Sequence, residues 1–170
     1  MFLKNYTSEV PVSQTIYRIE QVLIKCRVTG ITKEYNPQGQ VAAIIFQFPG
    51  PTGQELTVRL PADKEKALEA LWLNYADGEK LSADGQRLAY SPYKKKKRSD
   101  FAQQAERTAW KIVQDWVEVQ MSMIQMNQAD QLEVFLPYIW DGERTIYRKI
   151  KDSNFRALLP EKTDDLCLAQ

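Results

Sequence analysis

Three short runs rich in apolar and β-branched residues lie between positions 31 and 60, and two tight turns join them. The runs cover residues 31–35, 41–48 and 55–60, and proline and glycine mark the turns at 36–39 and 49–53. Connections this short join antiparallel neighbours. Leu56, Val58 and Leu60 alternate with polar residues in the last run. The sequence therefore predicts a three-stranded antiparallel meander with one buried face.

Amphipathic spacing predicts helices before and after this meander. Apolar residues recur at intervals of three and four between Val12 and Cys26, which predicts a helix over 13–27 with Ser13 as its N-cap. A second helix is predicted to begin at Asp63, with its inner face formed by Ala67, Leu68, Leu71 and Trp72. A short strand over residues 5–11, ended by Pro11, is predicted to precede the first helix.

The longest periodic segment covers residues 99–125 and predicts one long helix. The expected inner half of its helical wheel contains Gln120, and the expected solvated half contains Arg107, Lys111, Gln114 and Glu118. A polar residue inside an apolar stripe is typical either of an internal hydrogen bond or of a contact between helices. Because the apolar surface of this helix is broad, a homo-oligomer is one interpretation, with four candidate interface residues: Trp110, Trp116, Gln120 and Met121.

The remaining segments complete a prediction of one α+β domain over residues 1–170. A short helix over 129–136 and a final hairpin, with strands at 138–140 and 144–150 around Asp141-Gly142, follow the long helix. Helices packed on one face of a small antiparallel sheet are the simplest arrangement of this order. Residues 77–98 lack a usable period and are predicted to form a flexible basic loop, and 160–170 a frayed tail.

Composition excludes several classes of enzyme. The chain has no histidine and only two cysteines, Cys26 and Cys167, which excludes Ser-His-Asp triads and the common zinc sites. A magnesium-dependent nuclease would draw on seven acids, which follow no recognised spacing: Glu20, Glu34, Asp63, Asp115, Glu118, Asp130 and Glu133. A non-enzymatic role without cofactor or metal is therefore favoured. The absence of a secretory signal and of a long apolar run predicts a cytoplasmic protein with no membrane partner.

Positive charge is concentrated in one place. Between Arg87 and Arg98 the chain has six basic residues and no acid, and without them 17 basic residues face 22 acidic ones. DNA or RNA phosphates would bind such a run, and Tyr90 and Tyr93 lie where they could stack on unpaired bases. The candidate nucleic-acid-binding residues are Arg87, Tyr90, Tyr93, Lys94, Lys95, Lys96, Lys97 and Arg98. A solvated loop, a localisation signal and a contact for an acidic protein remain alternatives.

A second candidate surface is the polar face of the predicted meander. Its members would be Lys33, Tyr35, Gln47, Thr57 and Arg59. Sheet-face readers of RNA use a platform of this kind, but the aromatic motif of those proteins is missing from residues 41–46. An ordinary solvated sheet face is the alternative interpretation.

Several segments resemble a family of small bacteriophage and prophage proteins. The similar segments are Lys4-Asn5-Tyr6-Thr7, Val41-Ala42-Ala43-Ile44, Leu60-Pro61-Ala62, Gln104-Ala105-Glu106-Arg107, Asp115-Trp116-Val117-Glu118 and Val134-Phe135-Leu136-Pro137-Tyr138. The resemblance implies a setting in DNA replication, recombination or host interference, and it assigns no catalytic or binding residue. The sequence thus favours a nucleic-acid-binding accessory protein of a mobile element. An adaptor or inhibitor acting on a host or phage protein is the alternative.

Overall fold

A computed structural model describes the backbone of residues 3–83 and 96–156, and the side chains of 3–76 and 96–156. The helices of the described residues are α1 (Val12–Lys25), α2 (Lys64–Ala83), α3 (Ala102–Gln125), α4 (Gln131–Phe135) and α5 (Ile146–Asp152). The strands are β1 (Gly30–Tyr35), β2 (Val41–Pro49) and β3 (Glu55–Pro61). Short 3₁₀ turns at Arg98–Phe101 and Leu136–Tyr138 introduce α3 and follow α4.

The predicted meander is confirmed. The strands form one antiparallel sheet in the order β1-β2-β3, and Phe46 at its centre pairs with Ile31 on one side and Val58 on the other. Paired residues have their side chains on the same face of the sheet. The face that carries Ile31, Phe46 and Val58 is here called the inner face. The residues that alternate with these, such as Ile45 and Gln47 of β2, point to the outer face.

The helices α1 and α3 cover the inner face and build the main core. This core joins three surfaces, whose fully buried members include Ile19 and Leu23 of α1, Ile44 and Phe46 of β2, and Trp110 and Val117 of α3. The short helix α4 adds Phe135, whose ring meets the Phe46 ring edge-on at 5.1 Å between centroids. Helices on one face of an antiparallel sheet confirm the predicted α+β class.

A second, smaller core lies between α2 and α3. Ala67 and Leu71 of α2 pack against Ala105 and Ala109 of α3, and the three alanines allow the two helices to approach closely. The helix α2 continues to Ala83, so the prediction of a loop from residue 77 is wrong for 77–83. The rest of the predicted loop, from 84 to 95, lies outside the described residues, as do the predicted tail and Cys167.

The predicted N-terminal strand is wrong. Residues 4–7 form turns, and Asn5 has a left-handed backbone with φ of 63°. Asn5 is held there by contacts with α3, since its side chain donates to Asp115 at 2.9 Å and its carbonyl accepts from the Thr108 hydroxyl at 3.2 Å. Local strand propensity is therefore overridden by hydrogen bonds to residues more than one hundred positions away.

The predicted C-terminal hairpin is also wrong, because its second half is the helix α5. One bridge, between Trp140 and Thr145, is all that forms of the hairpin among the described residues. The Asp141 carboxylate accepts from the backbone N–H groups of Glu143 and Arg144, and the Thr145 hydroxyl accepts from that of Arg148. These side chains close a turn and cap a helix where the sequence pattern indicated a strand.

The long helix α3 forms as predicted, but its buried surface is wider than expected and rotated. Gln114, expected in solvent, is 2% exposed, whereas Gln120, expected inside, is half-buried. The helix packs on α1, α2 and the sheet at once, so residues on both sides of the predicted stripe are covered. A single amphipathic stripe describes a helix with one neighbour better than a helix with three.

Candidate nucleic-acid interface

The described end of the basic run, Lys96 to Arg98, is held in a defined backbone conformation. The Lys97 N–H donates to the Asp100 carboxylate at 2.8 Å, and the Asp100 N–H donates back to the Lys97 carbonyl at 2.9 Å. The Lys96 N–H donates to the Tyr75 hydroxyl of α2 at 3.2 Å. These bonds fix the backbone of the three cations against α2 and the start of α3. Arg87, Tyr90, Tyr93, Lys94 and Lys95, the other candidates of this run, lie outside the described residues.

The side chains of Lys96, Lys97 and Arg98 are exposed, and none of them forms an ion pair with any residue whose side chain the structure describes. Three adjacent cations repel one another, and the fold gains nothing from that repulsion. The Asp100 carboxylate lies close by, but it accepts from the backbone N–H of Lys97 and forms no ion pair with these side chains. Their charge is available to an external anion such as phosphate.

An aromatic cluster lies directly beside these cations. Trp72 and Tyr75 of α2 and Phe101 have ring centroids 5.3 to 6.2 Å apart, in tilted or edge-on arrangements. The Lys96 ammonium lies 5.5 Å from the centroid of the Phe101 ring, within range of a cation–π contact. The structure thus brings the basic run next to aromatic residues from a distant part of the sequence.

A concave site of about 490 Å³, here called the aromatic pocket, opens next to this cluster. Its lining comes from the N-terminal turn (Tyr6, Thr7), from α2 (Leu71, Asn74, Tyr75) and from the segment that starts α3 (Lys96, Asp100, Phe101, Gln103, Gln104). Aromatic rings, amide side chains, one lysine and one carboxylate therefore share the same cavity. The sequence analysis did not predict this site, because its three parts lie far apart in the chain. More than 60 residues separate the N-terminal turn from Leu71 of α2, and 20 residues separate Tyr75 of α2 from Lys96.

Some polar groups of the aromatic pocket form hydrogen bonds within the fold, and others do not. Gln104 is committed to the fold, since its amide donates to the Ser8 carbonyl at 3.0 Å and to the Thr108 hydroxyl. The amides of Asn74 and Gln103 form no hydrogen bond with any side chain or backbone group that the structure describes. Asn74 is half-buried and Gln103 is exposed. The pocket thus offers two amide groups to a ligand.

A larger open cleft of about 1050 Å³, the outer-face cleft, lies between the outer face of the sheet and the C-terminal segment. Its lining includes Lys33, Arg59, Arg144 and Arg148 together with Trp140. Thr57 and Gln47, which also belong to the predicted polar sheet face, lie on the outer face with Arg59. Lys33 does not belong to that face as predicted, because it pairs with Ile44 of the inner face and its ammonium reaches Glu20 of α1.

The charges of the outer-face cleft are largely balanced. Arg59 donates twice to Glu34, at 2.7 and 2.9 Å, and these bonds lower the pKa of the Glu34 carboxyl. Lys33 pairs with Glu20 at 2.8 Å, and Arg144 pairs with Asp152 at 3.1 Å. Because the cleft neutralises most of its own cations, it is a weaker site for a polyanion than the segment 96–98.

Two of the four interface candidates are packed inside the chain. Trp110 and Met121 are 1% and 2% exposed and lie in the main core, so the prediction that they lie at an interface is wrong. Trp116 is half-buried and stacks near Phe135 and Tyr138, with ring centroids at 5.8 and 5.1 Å. Gln120 is half-buried. The large apolar residue of this helix that is exposed is instead Val119.

The seven candidate acids are dispersed, and each has a role in the fold. Glu20, Glu34 and Asp63 pair with Lys33, Arg59 and Lys66, and Asp115 pairs with Lys4 and Lys111. Asp130 and Glu133 cap α4, and Glu118 accepts from Gln114. Across the residues that the structure describes, no three acidic or thiol side chains gather closely enough to hold a metal ion.

Comparisons with known proteins add no family to these observations. No protein-family model matches the chain, and neither the curated proteins nor the solved structures contain a significant match. In the described parts of the chain, no helix combines the length and the apolar character needed to cross a membrane. The candidate site therefore rests on its own geometry.

Proposed function

We propose that this chain is a non-enzymatic protein that binds single-stranded nucleic acid through the basic run and the aromatic residues beside it. The observation that carries the proposal is the position of Lys96, Lys97 and Arg98, exposed and without ion pairs, next to the aromatic pocket. Proteins that bind single strands combine cations that follow the backbone with aromatic side chains that stack on bases. A role in handling the DNA of a mobile element is part of this proposal, and it is the setting that the resemblance of the sequence to phage and prophage proteins implies.

Single strands fit this site better than duplex. Aromatic rings can stack only on bases that are unpaired and free to turn outwards, and here the rings and the cations lie within one small region. A duplex presents its bases inside the helix, and it would engage the three cations alone. We therefore expect tighter binding to a single-stranded oligonucleotide than to a duplex of the same sequence.

The proposal is tested by titrating a labelled single-stranded oligonucleotide at several salt concentrations and following fluorescence anisotropy. Each phosphate contact adds about 0.7 to the slope of log affinity against log salt for a single strand. Replacing Lys96, Lys97 and Arg98 with alanine should therefore lower the slope by about 2.

The matched control removes three other exposed cations, Arg18, Lys25 and Lys151, which also lack ion pairs among the described residues. The control changes the net charge equally, but it leaves the proposed site intact, so its slope should stay near that of the wild type. Equal losses in the two variants would show that binding follows net charge alone. An absence of salt-dependent binding in the wild type would refute the proposed function.

A further inference from the structure

The aromatic pocket has a size and a chemical character that suit one planar ligand. Its volume of about 490 Å³ lies within the usual range of small-molecule sites, about 300 to 1,000 Å³. Tyr6, Tyr75 and Phe101 provide aromatic surface, and Leu71 adds an aliphatic wall. A flat aromatic ligand would lay a face on this aromatic surface, whereas an extended polymer backbone would leave the surface unused.

The amides of Asn74 and Gln103 supply hydrogen-bonding groups in addition to the stacking surface of the rings. An amide side chain presents a donor and an acceptor next to each other, which matches the adjacent donor and acceptor on the edge of a nucleobase. Neither amide is used by the described part of the fold, and Asn74 is half-buried, so a hydrogen-bonding ligand would satisfy a group that water reaches only in part.

The neighbouring charge selects among planar ligands. Lys96 lines the pocket itself, and Lys97 and Arg98 follow directly in the chain. A base that enters the pocket carries a phosphate on its sugar, and the Lys96 ammonium beside the Phe101 ring would attract that phosphate. The Asp100 carboxylate also lines the pocket, but it already accepts from the Lys97 backbone N–H. We infer that the aromatic pocket receives one unpaired base of a bound strand, stacked on its aromatic walls and hydrogen-bonded to Asn74 and Gln103; this inference rests on the proposed function.

The test compares an intact oligonucleotide with a fully abasic one of the same length, which keeps the phosphates and lacks the bases. The wild type should bind the abasic strand about 5- to 100-fold more weakly, the range expected for losing one stacked base. Replacing Asn74 and Gln103 together with leucine keeps the side-chain size and removes the amides. This variant should lose affinity for the intact strand about 10-fold, leave the abasic strand unaffected and keep the wild-type salt slope.

Gln14→Leu with Gln128→Leu is the matched control, because both amides are exposed, lie outside the pocket and have no side-chain hydrogen bond to a described residue. It should bind both strands as the wild type does. If the wild type binds intact and abasic strands equally, or if the Asn74 and Gln103 variant weakens both alike, the base pocket is refuted while the phosphate contacts stand. If neither strand binds, the proposed function fails and this inference fails with it.

Discussion

The carboxylate of Asp115 in α3 ties the N-terminal turn to the core. It accepts hydrogen bonds from Lys4 at 2.8 Å, Asn5 at 2.9 Å and Lys111 at 3.0 Å, and its side chain is 19% exposed. Burial alone would raise the pKa of Asp115, but the bonds from Lys4, Asn5 and Lys111 outweigh it and lower the pKa to about 2. We predict that Asp115→Asn destabilises the protein in a pH-dependent manner.

The expected loss of stability follows from the difference in the pKa of Asp115 between the folded and the unfolded state. A fall in the pKa from 3.8 to about 2 corresponds to about 2.4 kcal/mol, at about 1.36 kcal/mol per pKa unit. Because Lys4 is 70% exposed, water screens part of this interaction, and we expect a loss of about 1 to 2 kcal/mol at pH 7. The unfolded chain holds the proton more tightly, so the stabilisation is fully present above about pH 4 and disappears as the pH falls towards 2.

Urea unfolding followed by tryptophan fluorescence at pH 7, about 4.5 and about 3 measures this effect directly. The difference in unfolding free energy between wild type and Asp115→Asn should be constant from pH 7 to about 4.5 and clearly smaller at pH 3. Asp152→Asn is the control, because the exposed pair of Asp152 with Arg144 should contribute less than about 1 kcal/mol. A loss for Asp115→Asn that does not change with pH would refute the electrostatic explanation.

Three further predictions concern the core, a helix cap and a thiol. Phe135→Ala should lower the free energy of unfolding by about 3 to 5 kcal/mol in urea titrations, since the ring is fully buried among other aromatic rings, and a loss below about 1 kcal/mol would contradict this packing. Asp130→Ala should cost about 1 kcal/mol in the same assay, because its carboxylate accepts the Leu132 N–H at 2.7 Å, and an unchanged urea midpoint would argue against the cap. Burial raises the pKa of the Cys26 thiol, so in a Cys167→Ser background alkylation by iodoacetamide at pH 8 should be slower than for a free cysteine; an equal rate would contradict the prediction.

Elements with one clear neighbour were predictable from the sequence. The helix α1 and the meander follow from local spacing, because a helix with one apolar stripe and strands joined by tight turns carry their pairing in the chain itself. The extent of the long helix α3 was predictable from the sequence, but the set of its residues that is buried was not. Gln114 is buried because α3 meets three partners, and the sequence of one helix does not state how many partners it will have.

The two chain ends show why the other errors arose. Asn5 adopts a left-handed conformation because Asp115 and Thr108 bind it, and this contact joins positions that no local pattern connects. At the other end, the Asp141-Gly142 turn predicted a strand over 144–150, but the Thr145 hydroxyl caps a helix instead. Side-chain bonds to the backbone decided both segments, and hydrophobic patterning does not register such bonds.

The charge of the candidate site was predictable from the sequence, but its pocket was not. The charge of Lys96, Lys97 and Arg98 is visible in the sequence as part of an uninterrupted run. The pocket beside it is not, because Asn74 and Phe101 come together only when α2 packs on the start of α3. Charge clusters are local in the chain, whereas concave sites are made by tertiary packing.

The helices α1 and α3 cover the inner face of the sheet, whereas the outer face borders the open outer-face cleft, and this difference limits how β2 can vary during evolution. Ile44 and Phe46 of β2 must fit fixed neighbours in the core, whereas Ile45 and Gln47, one position along, point outwards. A single inserted residue in β2 would exchange the two sets and place the core side chains in water. Natural variants should therefore differ more often at Ile45 and Gln47 than at Ile44 and Phe46, and changes in length should be confined to the turns on either side of β2.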